Sequence, residues 1–186
     1  MKRFIFALAL LFSNLVLAEE APPLPYTFDL PRFGYSIRYP VGWDIEHPAD
    51  FTTVFGGKFG TEAFHSTVSI QNVAPPKSGN PLESGSEVFK DMLRQLEKEA
   101  ADSSVQAVKS FILARGENSL AGYQIVADYT KKGELFRQWL VVLPRRDGSV
   151  VYVWSYTAPG EDFATYLPIA KAMLDSWRFH PDLVKK

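Results

Sequence analysis

The 186 residues include no cysteine. That absence excludes a disulfide scaffold, a cysteine zinc site, a thiol nucleophile and a lipidated cysteine. Charge of one sign is equally scarce: 20 basic and 21 acidic side chains leave a formal charge of −1. Without a basic surplus, a nucleic-acid binder that works through bulk charge is excluded as a class. There is no internal repeat and no low-complexity tract. Beyond the first residues no apolar run approaches the roughly 20 positions that a membrane span needs. What is present is apolar content: 46% hydrophobic and 14% aromatic residues, a composition that builds a packed core rather than a disordered chain.

The N-terminus carries a targeting layout. Lys2 and Arg3 form a positive start, Phe4 to Phe12 is almost wholly apolar, and Leu15, Val16 and Leu17 extend the run to the small residue Ala18. Glu19 and Glu20 then close it with charge. This is the layout of a secretory signal peptide cleaved after Ala18, with a periplasmic or secreted product. Ser13 and Asn14 interrupt the run and make it too short for an anchor. The expected organisation is a signal peptide over 1–18, a Pro-rich leader over 19–32, one domain over 33–180 and a tail over 181–186. Pro22, Pro23, Pro25 and Pro31 give the leader its extended character.

Within the domain, Phe33, Tyr35, Ile37 and Tyr39 alternate with small or polar residues, the period of a half-buried strand. Further strands are expected from Asp44, over 51–55, and over 64–73, where Phe64, Val68 and Ile70 share a face. Ser84, three residues before Glu87, has capping-box spacing. Val88, Phe89, Met92, Leu93, Leu96 and Ala100 then recur at helical spacing, which predicts an amphipathic helix. Four antiparallel strands follow, over 105–114, 123–129, 135–143 and 150–157, with turns at Lys132-Gly133 and Asp147-Gly148. The last two are apolar on both faces, so layers must lie above and below the sheet. Phe163 to Leu174 predicts a second helix, with Pro168 near its start. The fold class is therefore α+β: a central antiparallel sheet flanked by helices.

Two motifs at opposite ends of the domain carry a resemblance. The opening Phe33-Gly-Tyr-Ser-Ile-Arg-Tyr-Pro-Val-Gly-Trp43 resembles the start of the PsbP-like family, where an aromatic strand runs into Tyr-Pro-x-Gly-Trp. The closing helix and Leu174-Asp-Ser-Trp-Arg-Phe179 are similar to that family's ending. The resemblance spans Phe33 to His180 and implies an α/β/α sandwich. It implies binding rather than catalysis, since the fold serves an extrinsic photosystem II subunit, a nuclear Ran-binding factor and DcrB-like envelope proteins. It supplies no shared catalytic motif to transfer.

The residues themselves offer few candidates for chemistry. His47 with Asp50, and His65 with Glu62, combine imidazole and carboxylate as zinc or manganese ligands do, though without template spacing. No Gly-x-Ser-x-Gly elbow marks a serine hydrolase. Gly56-Gly57-Lys58-Phe59-Gly60 fails the phosphate-loop pattern and reads as a mobile hairpin tip able to dock a partner. Lys131-Lys132 and Arg145-Arg146 sit at successive turns, hence at opposite sheet ends, and cannot merge into one basic patch. Trp139, Tyr152, Trp154 and Tyr156 are either core or the lining of a cleft between helix and sheet. No motif calls for a cofactor. The leading expectation is a non-enzymatic envelope accessory protein that meets a protein partner through the loops over 55–62 and 75–85. The alternative is a carrier of a small apolar or aromatic-stacking ligand, and a metal-dependent enzyme using His47 or His65 ranks third.

Overall fold

In a computed structural model of the chain, the described residues are 22–75, 80–99 and 102–180. The signal segment, the tail over 181–186 and Ala100 of the expected helix stripe lie outside them. Eleven strands and two α-helices are assigned among the described residues. In chain order they are β1 (Tyr26–Leu30), β2 (Tyr35–Tyr39), β3 (Trp43–Ala49), β4 (Thr52–Gly57) and β5 (Thr67–Val73), then α1 (Pro81–Glu99). After these come β6 (Ser104–Val105), β7 (Lys109–Leu113), β8 (Leu120–Lys131), β9 (Glu134–Pro144), β10 (Val151–Pro159), α2 (Phe163–Ser176) and β11 (Arg178–Phe179).

The large sheet has the order β3-β4-β5-β10-β9-β8-β6, with β7 also on β8, and every pairing is antiparallel. The β8–β9 hairpin closes Lys131 on Glu134, so Lys132 and Gly133 form a two-residue turn. Both have positive φ, as the hairpin twist requires. A second, three-stranded sheet has the order β1-β2-β11.

The two-sided strands behave as their sequence demands. Leu140 and Val142 of β9 and Val151 and Val153 of β10 pack with Val88 and Phe89 of α1. Val141, Leu143, Tyr152, Trp154 and Tyr156 face the other way, into a core shared with α2 and the small sheet. That core centres on Trp177, fully buried, whose ring stands 5.7 Å from Tyr35, 5.5 Å from Tyr152 and 5.0 Å from Phe179. The result is the α/β/α sandwich.

Several elements differ from expectation. The segment expected as a leader contains β1, which pairs with β2 from Tyr26↔Tyr39 to Leu30↔Tyr35. The folded unit therefore begins before Phe33, and the prolines flank the strand rather than prevent it. Helix α1 begins at Pro81, ahead of the expected Ser84 cap. The Asn80 side chain accepts from the Leu82 N–H at 3.1 Å, and Pro81 sits where a helix needs no N–H. Ser84 is inside the helix, with its hydroxyl on the Asn80 carbonyl. Phe64 falls in a 3-10 turn over Glu62–His65, outside β5. The expected strand over 105–114 divides into β6 and β7 along one edge of β8. Pro168 lies well inside α2 rather than at its start.

Arg115, from the β7–β8 loop, ties down the end of α2. Its guanidinium donates to the carbonyls of Leu174 at 2.9 Å, Asp175 at 2.8 Å and Trp177 at 2.8 Å. A cation on the last carbonyls of a helix satisfies acceptors that have no intrahelical donor. Arg115→Met should therefore lower stability by about 2–3 kcal/mol, measured as a shift in the urea midpoint at unchanged slope. Burial also pushes the Tyr152 and Tyr35 phenols up, each to about 12, and Tyr156 up further. The folded state holds these protons more tightly than the unfolded chain, so their contribution is intact below pH 10 and is lost as pH rises toward 12. Phenolate absorbance of these tyrosines should appear only in step with loss of circular dichroism, and Tyr152→Phe should make alkaline unfolding less steep.

Candidate functional site

Strands β4 and β5 carry most of their buried residues on one face, while the other holds Val54 and Val73 among polar positions. Thr53, Phe55, Val68 and Ile70 are buried toward α2, while Thr52, Ser69 and Gln71 point to the α1 side. A single helix cannot cover that whole face. Helix α1 lies over β8, β9 and β10 because those strands offer apolar residues to it. Gly85 allows the close approach: a Cβ there would stand 3.0 Å from the Pro144 ring.

Beside α1 the uncovered face forms a groove of about 450 Å³. Its sheet side carries Thr52, Ser69 and Gln71 from β4 and β5, Ser155 from β10 and Gln138 from β9. Ile125, Leu140 and Val153 form apolar floor, and Met92, Gln95 and Leu96 of α1 form the wall. Tyr129, Thr130 and Lys131 close the end near the β8–β9 turn. At the centre the Ser69 and Ser155 hydroxyls share a 2.8 Å hydrogen bond, on strands paired Ser155↔Ser69. The Thr52, Gln71, Gln95, Thr130 and Gln138 side chains hydrogen-bond no other described residue.

None of the expected site residues lines this groove. Trp154 and Tyr156 are fully buried under α2, and the Tyr156 hydroxyl donates to the Phe163 carbonyl at 2.9 Å. Tyr152 donates to the Phe33 carbonyl at 2.7 Å and borders only a recess of about 50 Å³. Trp139 is half-buried against Trp154 and donates to Gln124 at 3.0 Å. Their rings fill the space between sheet and cover, so they are core rather than cleft. A signal for the lining was present in the alternation of 67–71, where Ser69 and Gln71 oppose Val68 and Ile70 next in the sheet to two-sided β10.

The histidine–carboxylate pairs do not assemble. His47 lies beside Thr53, near the start of β4, and Asp50 sits in the turn that follows. His65 and Glu62 lie past the other end of β4. Among the described residues no three His, Asp or Glu side chains are placed to share a metal ion.

The expected docking tip is shorter and firmer than its glycines suggested. Gly56 and Gly57 belong to β4, paired with Asp44 and Trp43. Lys58, Phe59 and Gly60 form the protruding part. The Lys58 N–H donates to the Gly42 carbonyl at 3.0 Å, and both the backbone and the side chain of Thr61 donate to the Lys58 carbonyl. A Cβ on Gly57 would come within 2.3 Å of the Ala63 carbonyl oxygen, so only glycine admits this crossing. Phe59 is 87% exposed and meets Phe64 edge-on at 5.1 Å. Val41, in the turn touching Lys58, is exposed too. Of the second expected docking loop, 76–79 lie outside the described residues and 81–85 are already helix.

No protein-family profile matches the chain, and no curated protein matches its sequence. Solved structures do match its shape. Cyanobacterial PsbP (CyanoP) from Synechocystis sp. PCC 6803 superposes with a TM-score of 0.54 at 11% identity, over 83% of this chain and 92% of that one. This is the PsbP-like fold. LpqN of Mycobacterium tuberculosis, described as involved in cell envelope biogenesis, matches with a TM-score of 0.52 at 14% identity, over 79% and 83%. A Bacteroides thetaiotaomicron protein matches with a TM-score of 0.50 at 17% identity, over 84% of this chain. The chain spans about half the length of that protein, 48%. At these identities the PsbP-like likeness establishes fold and leaves activity to the site.

The tip's geometry gives a direct check. Gly57→Ala should cost about 2–3 kcal/mol, because the Ala63 backbone must move. Phe59→Ser, on an exposed ring, should change stability by no more than about 0.5 kcal/mol. Urea unfolding of the two variants distinguishes a built tip from a loose one.

Proposed function

We propose that the protein is an exported, non-enzymatic binding or assembly-accessory protein of the bacterial envelope, acting through protein–protein contacts. The observation that carries this reading is Phe59: a large aromatic held out in solvent by a hydrogen-bonded tip and backed by Phe64. An exposed, pre-ordered aromatic with apolar neighbours is what an interface anchor requires, since little ordering entropy remains to be lost on binding. The signal-peptide layout supports an extracytoplasmic place of action. No described helix is long and apolar enough to cross a membrane. The envelope role given for LpqN is in keeping with this reading.

The reading is tested in living cells with a photo-crosslinking residue at position 59, followed by affinity capture and mass spectrometry. A reproducible envelope protein should be recovered, and the double variant Phe59→Ser with Phe64→Ser should lose it while its unfolding curve stays unchanged. Recovery of that partner at full yield by the double variant would put the contact elsewhere. Recovery of nothing by the parent chain would overturn the accessory role.

A further inference from the structure

The groove beside α1 lies on a different surface from the tip, and its chemistry points to a different kind of ligand. We infer that it is a binding site for a neutral oligosaccharide. Its hydrogen-bonding groups come from hydroxyls (Thr52, Ser69, Ser155) and from primary amides (Gln71, Gln95, Gln138). Among the described residues no carboxylate lines it, and the one cation that does, Lys131, is exposed at the end of the hairpin. A charged ligand would find no compensating charge along the sheet floor. An uncharged one finds both donors and acceptors, because each amide offers two N–H groups and a carbonyl, and each hydroxyl one donor and two lone pairs.

That capacity is largely unspent. Only Ser69 and Ser155 pair with each other; the side chains of Thr52, Gln71, Gln95 and Gln138 have no partner among the described residues. A purely apolar ligand would cover these groups without pairing them, which costs more than the apolar contact returns. An extended peptide would meet side chains only, since the floor is the face of a sheet whose backbone ladder is already complete, and no strand edge is available for pairing.

A sugar ring combines a hydroxylated rim with apolar C–H faces, and the groove repeats that division. Ile125, Leu140 and Val153 supply apolar floor between the polar positions. The ring of Tyr129, stacked at 5.9 Å on Phe136, adds an aromatic surface at the closed end. The volume of about 450 Å³ lies in the range of small-molecule sites.

The test is a nitrogen–proton correlation titration of the signal-cleaved chain with maltotriose, cellotriose and N,N′,N″-triacetylchitotriose, and with trigalacturonate as an anionic control. At least one neutral trisaccharide should give saturable shifts at Ser69, Gln71, Gln138 and Ser155 and at the glutamine side-chain amides. Gln138→Leu should weaken that binding by about tenfold. Gln95→Leu, on the exposed helix wall, provides a second variant with little demand on folding and should weaken it as well. Saturable shifts with trigalacturonate alone, shifts gathered at the tip rather than the groove, or no saturable shift with any of the neutral sugars would each overturn the assignment. Neither variant touches Phe59 or Phe64, so failure here leaves the docking reading standing, and the reverse also holds.

Discussion

Strands β9 and β10 are apolar on both faces, and the rest of the molecule is arranged around covering them. Leu140, Val142, Val151 and Val153 require one layer, and Val141, Leu143, Tyr152, Trp154 and Tyr156 require another. Leaving either face wet would cost roughly 2 kcal/mol for each large side chain exposed. On one side α1 meets the demand alone. On the other, α2 needs the help of the small sheet β1-β2-β11, and Trp177 is the residue in which these parts meet. Arg115 then fixes the end of α2 through three carbonyls, so the β7–β8 loop is a structural tie as well as a connection.

The same arithmetic of cover explains where the molecule remains open. One helix of 19 residues over a large sheet protects the strands that are apolar toward it and leaves the neighbouring ones bare. Most of those positions on β4 and β5 are Thr, Ser and Gln, residues that tolerate water, with Val54 the apolar exception. The groove is thus a consequence of one-sided strands lying next to two-sided ones. The tip has a separate origin. The chain must travel from the end of β4 to the start of β5, and Gly57 lets it fold back over itself tightly enough to lift Phe59 clear of the surface. One molecule therefore presents an aromatic point at a sheet end and a polar trough along a sheet face.

Much of the architecture was legible from residue patterns. Alternation located β2, β8, β9 and β10; the Lys132-Gly133 turn gave the β8–β9 hairpin; the 3.6-residue stripe gave α1. Local rules failed where a competing local signal was stronger. Asn80-Pro81 outranks Ser84 as a helix start because it satisfies a backbone donor one turn earlier. The proline-rich leader conceals β1 because Pro25 and Pro31 bracket a strand that β2 holds in place. Phe64 belongs to a turn rather than to β5, although its spacing from Val68 and Ile70 suggested otherwise. The candidate sites were harder to read. The conspicuous aromatics drew attention and proved to be core, while the groove is lined by residues that are unremarkable one at a time.

The sequence by itself determined the class of the fold, the two-sided character of the central strands, the absence of thiol chemistry and the targeting layout. These follow from composition and from periods of two and 3.6 residues, which are properties of neighbours along the chain. Only the tertiary structure decided which aromatics are buried, that the two histidine–carboxylate pairs stay apart, and that hydroxyls and amides from β4, β5, β8, β9, β10 and α1 face one groove. Those outcomes depend on strand order and on how much of a sheet one helix can cover. Residues as far apart as Ser69 and Ser155 become hydrogen-bonded neighbours through the β5–β10 pairing, and no local period encodes that contact.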